Sequence, residues 1–296
     1  MRLLPIFALP LSLALMGCPE NDDTCIDVDG DGYGVHCSSG LDCDDDDPNS
    51  FANCASCVDA DADLAFTGCD VYATVAGPDC DDGDPESSPL LPEVADDGID
   101  NDCSAGDLVA LTALASESIF VDEANPSCSD VTRSGSRGVP FCTLPAALAA
   151  ASGVSVDVFV AEGDYTAPNW ASTSGGYLGL HGGYDSSWDR DVATNTTSVD
   201  FSDLGSLECR RDVCMIDGFE FDRSTPVTGG GFITIGGRQF SAVTRSTFVS
   251  EENPAGLLFV SGDMTPGSRA IVREVNVEAE GGFPLAFGGY GTCLLY

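Results

Sequence analysis

Three aspartates at alternate positions, Asp27, Asp29 and Asp31, stand in the run Asp-Val-Asp-Gly-Asp-Gly-Tyr-Gly. On a tight turn, alternate carboxylates aim at one point, and calcium takes six to eight oxygen ligands at roughly 2.3–2.6 Å. The spacing matches the first half of an EF-hand loop, with Gly32 at the sharp turn. Ser38 stands where that loop would carry a bidentate Glu, so further oxygens must come from elsewhere. The nearest supply is Asp42-Cys43-Asp44-Asp45-Asp46-Asp47-Pro48. The arrangement then recurs. Asp59, Asp61 and Asp63 form a second alternating triplet, weakened by Leu64 in the glycine position. Asp79-Cys80-Asp81-Asp82-Gly83-Asp84-Pro85 repeats the DCDD-x-DP block 37 residues after the first. A closing segment holds Glu93 and then Asp96-Asp97-Gly98-Ile99-Asp100-Asn101-Asp102-Cys103.

These loops need something to hold them. The chain has 296 residues and a net charge of −38, with 26 acids and no Lys or Arg between Pro19 and Asp107. Lysine is absent throughout, which excludes a basic footprint for nucleic acid. So dense a charge would leave a chain disordered by self-repulsion unless it is cross-linked or neutralised. Eight cysteines punctuate the acids: Cys25, Cys37, Cys43, Cys54, Cys57, Cys69, Cys80 and Cys103. In an exported chain such an even set reads as a disulfide framework, whose pairing the sequence leaves open. Bound calcium would neutralise the carboxylates, so that binding free energy becomes folding free energy. Zinc is a poorer reading of Cys54-Ala-Ser-Cys57 in an oxidising compartment. Copper needs softer donors, and His36 is the one histidine in this region.

The order DxDxDGYG, DCDDxDP, E-x-x-DDGIDNDC resembles the metal-binding motif repeats of bacterial surface proteins of the MopE-like kind. It is also similar to thrombospondin type-3 calcium repeats. The resemblance covers nearly all of residues 19–104 and implies several calcium ions wrapped by a chain with little regular structure. Carried over residue by residue, the implied ligands are Asp27, Asp29, Asp31, Asp42, Asp44, Asp46, Asp59, Asp61, Asp63, Asp79, Asp81, Asp84, Asp96, Asp100 and Asp102. A copper association attaches to one relative of this kind, and nothing in these residues beyond the shared oxygen-rich motifs supports it.

The N-terminus supplies the export route. Arg2 precedes an apolar run from Leu3 to Met16, too short to span a bilayer and consistent with a secretory signal. Leu15-Met16-Gly17-Cys18 resembles the lipobox of bacterial lipoproteins. The resemblance implies a signal peptide over 1–18, a diacylglyceryl group on Cys18 and a membrane held through that lipid. Several acyl chains anchor stably where one does not. Pro19 is not the Asp that retains some lipoproteins at an inner membrane, which favours the outer membrane or cell surface. Of the thirteen other cysteines, Cys293 is the one expected to be left unpaired, with Cys128–Cys142 and Cys209–Cys214 as local pairs.

After a small-residue connector at 105–117, residues 118–296 read as mostly β. The Ala/Leu run Leu144–Ala151 predicts a short helix, and Val154–Val160 a strand by alternation. Pro140-Phe141-Cys142-Thr143-Leu144 with the following AlxxA and GxY pattern resembles the entry of right-handed parallel β-helix proteins, as does Leu180-His181-Gly182-Gly183-Tyr184-Asp185. MIDGFEF, VTRSTFV and IVREVNV begin 28 residues apart at 215, 243 and 271, with GFITIG, GLLFVS and GFPLAF between them. Two short strands per period separated by Gly-rich turns fit stacked coils of a solenoid. A β-sandwich is the alternative. The chain stops at Leu294-Leu295-Tyr296, which suggests an open strand edge, covered by a partner or left by a truncated frame.

The fold class expected is therefore all-β: an irregular disulfide-rich calcium-binding region followed by a short parallel β-helix. The function expected is a non-catalytic calcium-binding surface lipoprotein that is adhesive or structural, with a carbohydrate or protein ligand. The alternatives are a carbohydrate-active β-helix enzyme and a copper-acquisition protein. A lyase would need Arg or Lys beside an acidic cluster, and Arg210-Arg211 has no such partner in sequence. A hydrolase needs two carboxylates at a set separation. Asp217, Glu220 and Asp222 are close in sequence but alternate faces.

Overall fold

The structure, a computed structural model, describes residues 24–113, 118–131, 135–167, 169–201, 206–223, 233–250, 258–261, 269–279, 285–288 and 292–295. The signal segment and Cys18 lie outside the described residues, as does the side chain of Cys293. The chain forms two compact units that divide between Pro78 and Asp79.

The first unit has no named helix or strand among its described residues. Its backbone is held by three disulfides, Cys25–Cys37, Cys43–Cys54 and Cys57–Cys69, and by isolated antiparallel bridges Ile26–Val35 and Val58–Thr67. The bridges and the first and third disulfides share an offset of 32 residues, so this unit contains one loop twice.

The second unit is mostly strand. Its first strand is β1, Ser118–Val121, and its one helix among the described residues is α1, Leu144–Ala150. Thr143 caps that helix by accepting from the Ala146 N–H, and Pro145 fits its first turn, where no N–H is needed. Five strand triplets follow. They are β2 Val156–Ala161, β3 Gly163–Thr166 and β4 Asn169–Ser172; then β5 Tyr177–Tyr184, β6 Thr197–Asp200 and β7 Ser206–Cys209. Next come β8 Val213–Asp217, β9 Glu220–Arg223 and β10 Ile233–Ile235; then β11 Phe240–Thr244, β12 Thr247–Ser250 and β13 Leu258–Ser261. The last are β14 Arg269–Arg273, β15 Asn276–Ala279 and β16 Leu285–Gly288, with β17 Thr292–Leu295 after them.

From β2 onward each strand pairs in parallel with the strand three places on, giving three sheets. One has seven strands in the order β1-β2-β5-β8-β11-β14-β17; the others run β3-β6-β9-β12-β15 and β4-β7-β10-β13-β16. The antiparallel pairing of a sandwich does not occur between the named strands. Parallel strands buried on one face need a shared core, and all three sheets supply it. Val158, Leu180, Ile216 and Val243 from the first meet Val199, Phe221 and Phe248 from the second and Leu207 and Ile235 from the third.

The period holds three strands rather than the two expected. Each seven-residue motif is broken by a corner, at Gly218, Arg245 and Glu274, with φ of 77°, 43° and 51°. A left-handed residue turns the chain from one sheet to the next, so MIDGFEF is the end of β8 and the start of β9. Two of the three corners are not glycine, which hid the break in sequence.

Segment 79–113 belongs to this second unit and lies on the outer face of the seven-stranded sheet. Ala95 and Ala110 pack with Phe120, Phe159, Tyr184 and Trp188, and Leu91 and Val94 with Met215, Phe240 and Ala242. Its own staple is Cys80–Cys103. The expected local pairs Cys128–Cys142 and Cys209–Cys214 are both present.

Candidate metal centre

The two copies of the loop in the first unit match bond for bond. In the first, Asp27 accepts from the N–H of Gly30 at 2.7 Å and of Gly32 at 3.0 Å; Asp29 accepts from Asp31 at 3.1 Å and Asp31 from Tyr33 at 2.8 Å. In the second, Asp59 accepts from Ala62 at 2.7 Å and Leu64 at 3.1 Å; Asp61 accepts from Asp63 at 3.2 Å and Asp63 from Ala65 at 2.7 Å. An aspartate side chain that bonds the amide two or three residues on fixes a turn without any helix or strand. One oxygen from each carboxylate of Asp27, Asp29 and Asp31 lies within 4.8 Å of the others, and the same holds for Asp59, Asp61 and Asp63.

Leu64, which looked like a defect in the second loop, takes the backbone conformation of its counterpart. Its φ is 77° against 96° for Gly32, and Ala62 has 69° against 87° for Gly30. The loop thus keeps its shape at the cost of two side chains in a strained region. The glycine at Gly34 has no such latitude: a Cβ there would come within 2.0 Å of the Ile26 carbonyl oxygen.

The first loop draws in the following acidic block. Asp45 accepts from the Val28 N–H at 3.1 Å. The Asp29 carboxyl is raised above the ordinary aspartate range by desolvation, with the neighbouring charges of Asp31, Asp42 and Asp27 adding to it. One oxygen each of Asp29, Asp31 and Asp42 is buried with no hydrogen-bond partner. Buried carboxylate oxygens without donors are unfavourable unless something positive sits among them. Hard oxygen donors of this kind suit calcium better than zinc or copper.

The second block repeats the first. Asp42 accepts from the Asp44 N–H and Asp79 from the Asp81 N–H, while Asp47 and Asp84 each accept from the amide two residues on. Asp42 and Asp79 also lie near the sulfurs of Cys43–Cys54 and Cys80–Cys103. Those sulfurs are in disulfides and cannot act as thiolate ligands. The Cys54–Cys57 spacing has no zinc meaning either, since the two residues belong to different disulfides.

In the second unit Asp100 and Asp102 converge with Glu93, a residue not among the sequence-derived ligands. Glu93 accepts from the N–H groups of Asn101, Asp102 and Leu108. Desolvation pushes its carboxyl up to about 7, partly offset by those amides. Its place three residues before the DDGIDNDC run was the available signal. Asp96 has a different job: it accepts from the Ala110 N–H at 2.9 Å and the Tyr184 hydroxyl at 2.8 Å. Asp44, Asp46, Asp81 and Asp84 lie outside the converging groups found among the described residues. Asp70, not foreseen either, accepts from the amides of Phe51, Ala52 and Asn53, and its carboxyl is held below the usual range by the Ala52 N–H first.

The arginines considered for catalysis are accounted for. Arg210 ion-pairs with Glu208 at the surface. Arg211 is fully buried and donates to Ser172 and to the carbonyls of Ala151, Val154 and Tyr177, tying the end of α1 to the sheets. Asp217 is fully buried between Arg190 and Arg245 and also accepts from Thr244. His181 is buried, with its Nε2 2.9 Å from Asp157. No protein-family profile, curated protein or solved structure matches the chain.

Proposed function

We propose that this chain is a calcium-binding, non-catalytic exported lipoprotein, MopE-like in its acidic part, with its parallel strands wound as coils of a β-helix. The observation that carries the reading is the duplicated loop, with its convergent carboxylates and the partnerless buried oxygens of Asp29, Asp31 and Asp42. Asp27, Asp29, Asp31 and Asp42 would hold one ion, Asp59, Asp61 and Asp63 a second, and Glu93, Asp100 and Asp102 a third. Calcium there supplies charge neutralisation, which lets disulfide-stapled acidic loops pack. The lipid on Cys18 would hold the chain at an outer membrane or cell surface.

The β-rich part would present a contact surface. Asp164, Ser198, Glu220, Thr247 and Asn276 fall in one register row, on the face opposite the buried Tyr165, Val199, Phe221 and Phe248. A row of hydroxyl, amide and carboxylate groups suits the hydroxyls of a surface carbohydrate or a polar protein face. The buried, ion-paired state of Asp217 and the structural bonding of Arg211 weigh against the enzyme alternative.

Calorimetric titration of the oxidised, chelator-treated full chain tests the reading, with calcium first and copper second, followed by circular dichroism. Several calcium ions bound with a gain of order is the expected result. Absence of binding below millimolar calcium, or tight copper binding that calcium does not displace, would overturn it. Release of unsaturated or reducing sugars from uronans would replace it with the enzyme reading.

A further inference from the structure

Segment 79–110 is internally cross-linked and rests on the seven-stranded sheet through apolar and charged groups. It carries eleven acids from Asp79 to Asp107 and no Lys or Arg. Internally it is tied by Cys80–Cys103, by Ser88 N–H to the Asn101 carbonyl at 2.8 Å and by Asp96 N–H to the Leu108 carbonyl at 2.8 Å. The buried Asn101 side chain adds bonds to Val94 N–H and the Glu86 carbonyl.

It is attached to the sheet by the apolar packing of Ala95 and Ala110 on Phe120 and Trp188 and of Leu91 and Val94 on Met215 and Phe240, and by a few polar bonds. Arg190, fixed by Asp217 and the Gly182 carbonyl, donates to the Ala95 carbonyl. Arg273 pairs with Glu86, and the Tyr184 hydroxyl reaches Asp96. Beside these a small cleft, open to solvent, lies between Leu91, Pro92 and Val94 on one side and Met215, Phe240 and Ala242 on the other. Eleven acids against two arginines, of which Arg190 is already paired with Asp217, leave most of the segment's charge uncompensated as it approaches the sheet, and one buried oxygen of Asp107 without a hydrogen-bond partner lies within it. Bringing so many like charges to a low-dielectric surface is unfavourable unless cations accompany them.

We propose that segment 79–110 is a strap whose seating on the seven-stranded sheet is coupled to calcium. Loaded, the strap covers Trp188, Met215 and Phe240; stripped of calcium, it lifts as a disulfide-stapled body and uncovers that apolar face. The proposal rests on the calcium reading above. By linkage, calcium favours the seated form only as far as it binds that form more tightly, and seating in turn tightens calcium.

Trp188 reports the seat, because it is buried against Phe120, Tyr184, Ala95 and Ala110. The chain has one other tryptophan, Trp170, removed by Trp170→Phe. In that full-length variant, chelation should shift Trp188 emission to the red and raise acrylamide quenching about threefold, reversibly, while the strand signal in circular dichroism stays. Arg190→Gln should raise the calcium needed for half-seating about tenfold, as expected for a lost bond to a charged donor. If calorimetry on the same sample shows calcium bound but Trp188 is equally shielded with and without it, the strap idea fails and the calcium reading stands. If no calcium binds, both fail. Loss of the strand signal together with Trp188 shielding would mean general unfolding and would also overturn the strap.

Discussion

Before Pro78 the described residues bury one hydrophobic side chain, Ala65, while Ile26, Val28, Val35, Leu41 and Leu64 stand exposed. After Asp79 a continuous apolar core joins three sheets. Both units are ordered, but the first replaces hydrophobic burial by disulfides and by aspartates that bond their own backbone. A short chain without a core needs such staples. The contrast teaches that carboxylates can supply much of the scaffold in one unit, while in the other they reinforce, as Asp217 does, a scaffold that apolar packing supplies.

The sharpest way to break this contrast is to reduce the disulfides. Each loop-closing bond of this kind contributes roughly 2–4 kcal/mol. Replacing Cys43 and Cys54 by Ser should therefore unfold residues 24–78, seen as loss of amide protection there, while β2–β17 keep theirs. Equal loss in both units would show that the first is not separately stabilised.

In the second unit the corresponding test is Asp217→Asn. Breaking a buried pair strands the remaining charge and costs about 3–5 kcal/mol; here Arg190 and Arg245 would be the stranded partners. Urea unfolding should show that loss in the second unit alone. A change below 1 kcal/mol would mean that water reaches the two guanidinium groups and takes over from the carboxylate.

A smaller effect sharpens the comparison from the other side. Ala62→Gly and Leu64→Gly relieve left-handed strain, each by about 1 kcal/mol. Both should stabilise the second loop and tighten its calcium binding in titration, whereas Gly30→Ala and Gly32→Ala should weaken the first loop. Identical responses in the two loops would contradict their shared geometry.

The smallest effect concerns acid. For Asp217, burial raises the carboxyl, but Arg190 and then Arg245 outweigh it, so it sits well below the usual range. Asp70 is also depressed, led by the Ala52 N–H. A depressed folded value gives stability that is present above the unfolded aspartate value and disappears as pH falls through the folded one. Both units should therefore lose stability as pH falls below about 4, and Asp70→Asn should flatten the acid limb of the first unit only. A flat profile between pH 4 and 2 would remove both carboxylates from the list of stabilising groups.

Much of the carboxylate geometry was legible because it is local. Asp27, Asp29 and Asp31 converge through bonds spanning two to five residues, which spacing encodes directly. The cysteine pairing was not, since eight cysteines allow 105 pairings and only the folded chain selects one. Glu93 was missed because it acts across eight and nine residues on Asn101 and Asp102. The parallel sheets followed from the repeat at Met215, Val243 and Ile271. The third strand did not, because the corners at Arg245 and Glu274 carry ordinary charged residues where a glycine would have marked a turn.

The pairing of every strand with the third one on has a consequence for biosynthesis. Partners lie only a few tens of residues apart all along the β-rich unit. Parallel pairing across a few tens of residues is non-local and therefore slow, yet no strand from β2 onward must wait for the far end of the chain to find its neighbour. Ordering can therefore proceed vectorially, rung upon rung, as the polypeptide emerges from a ribosome or a translocation pore. Each completed rung becomes the template for the next.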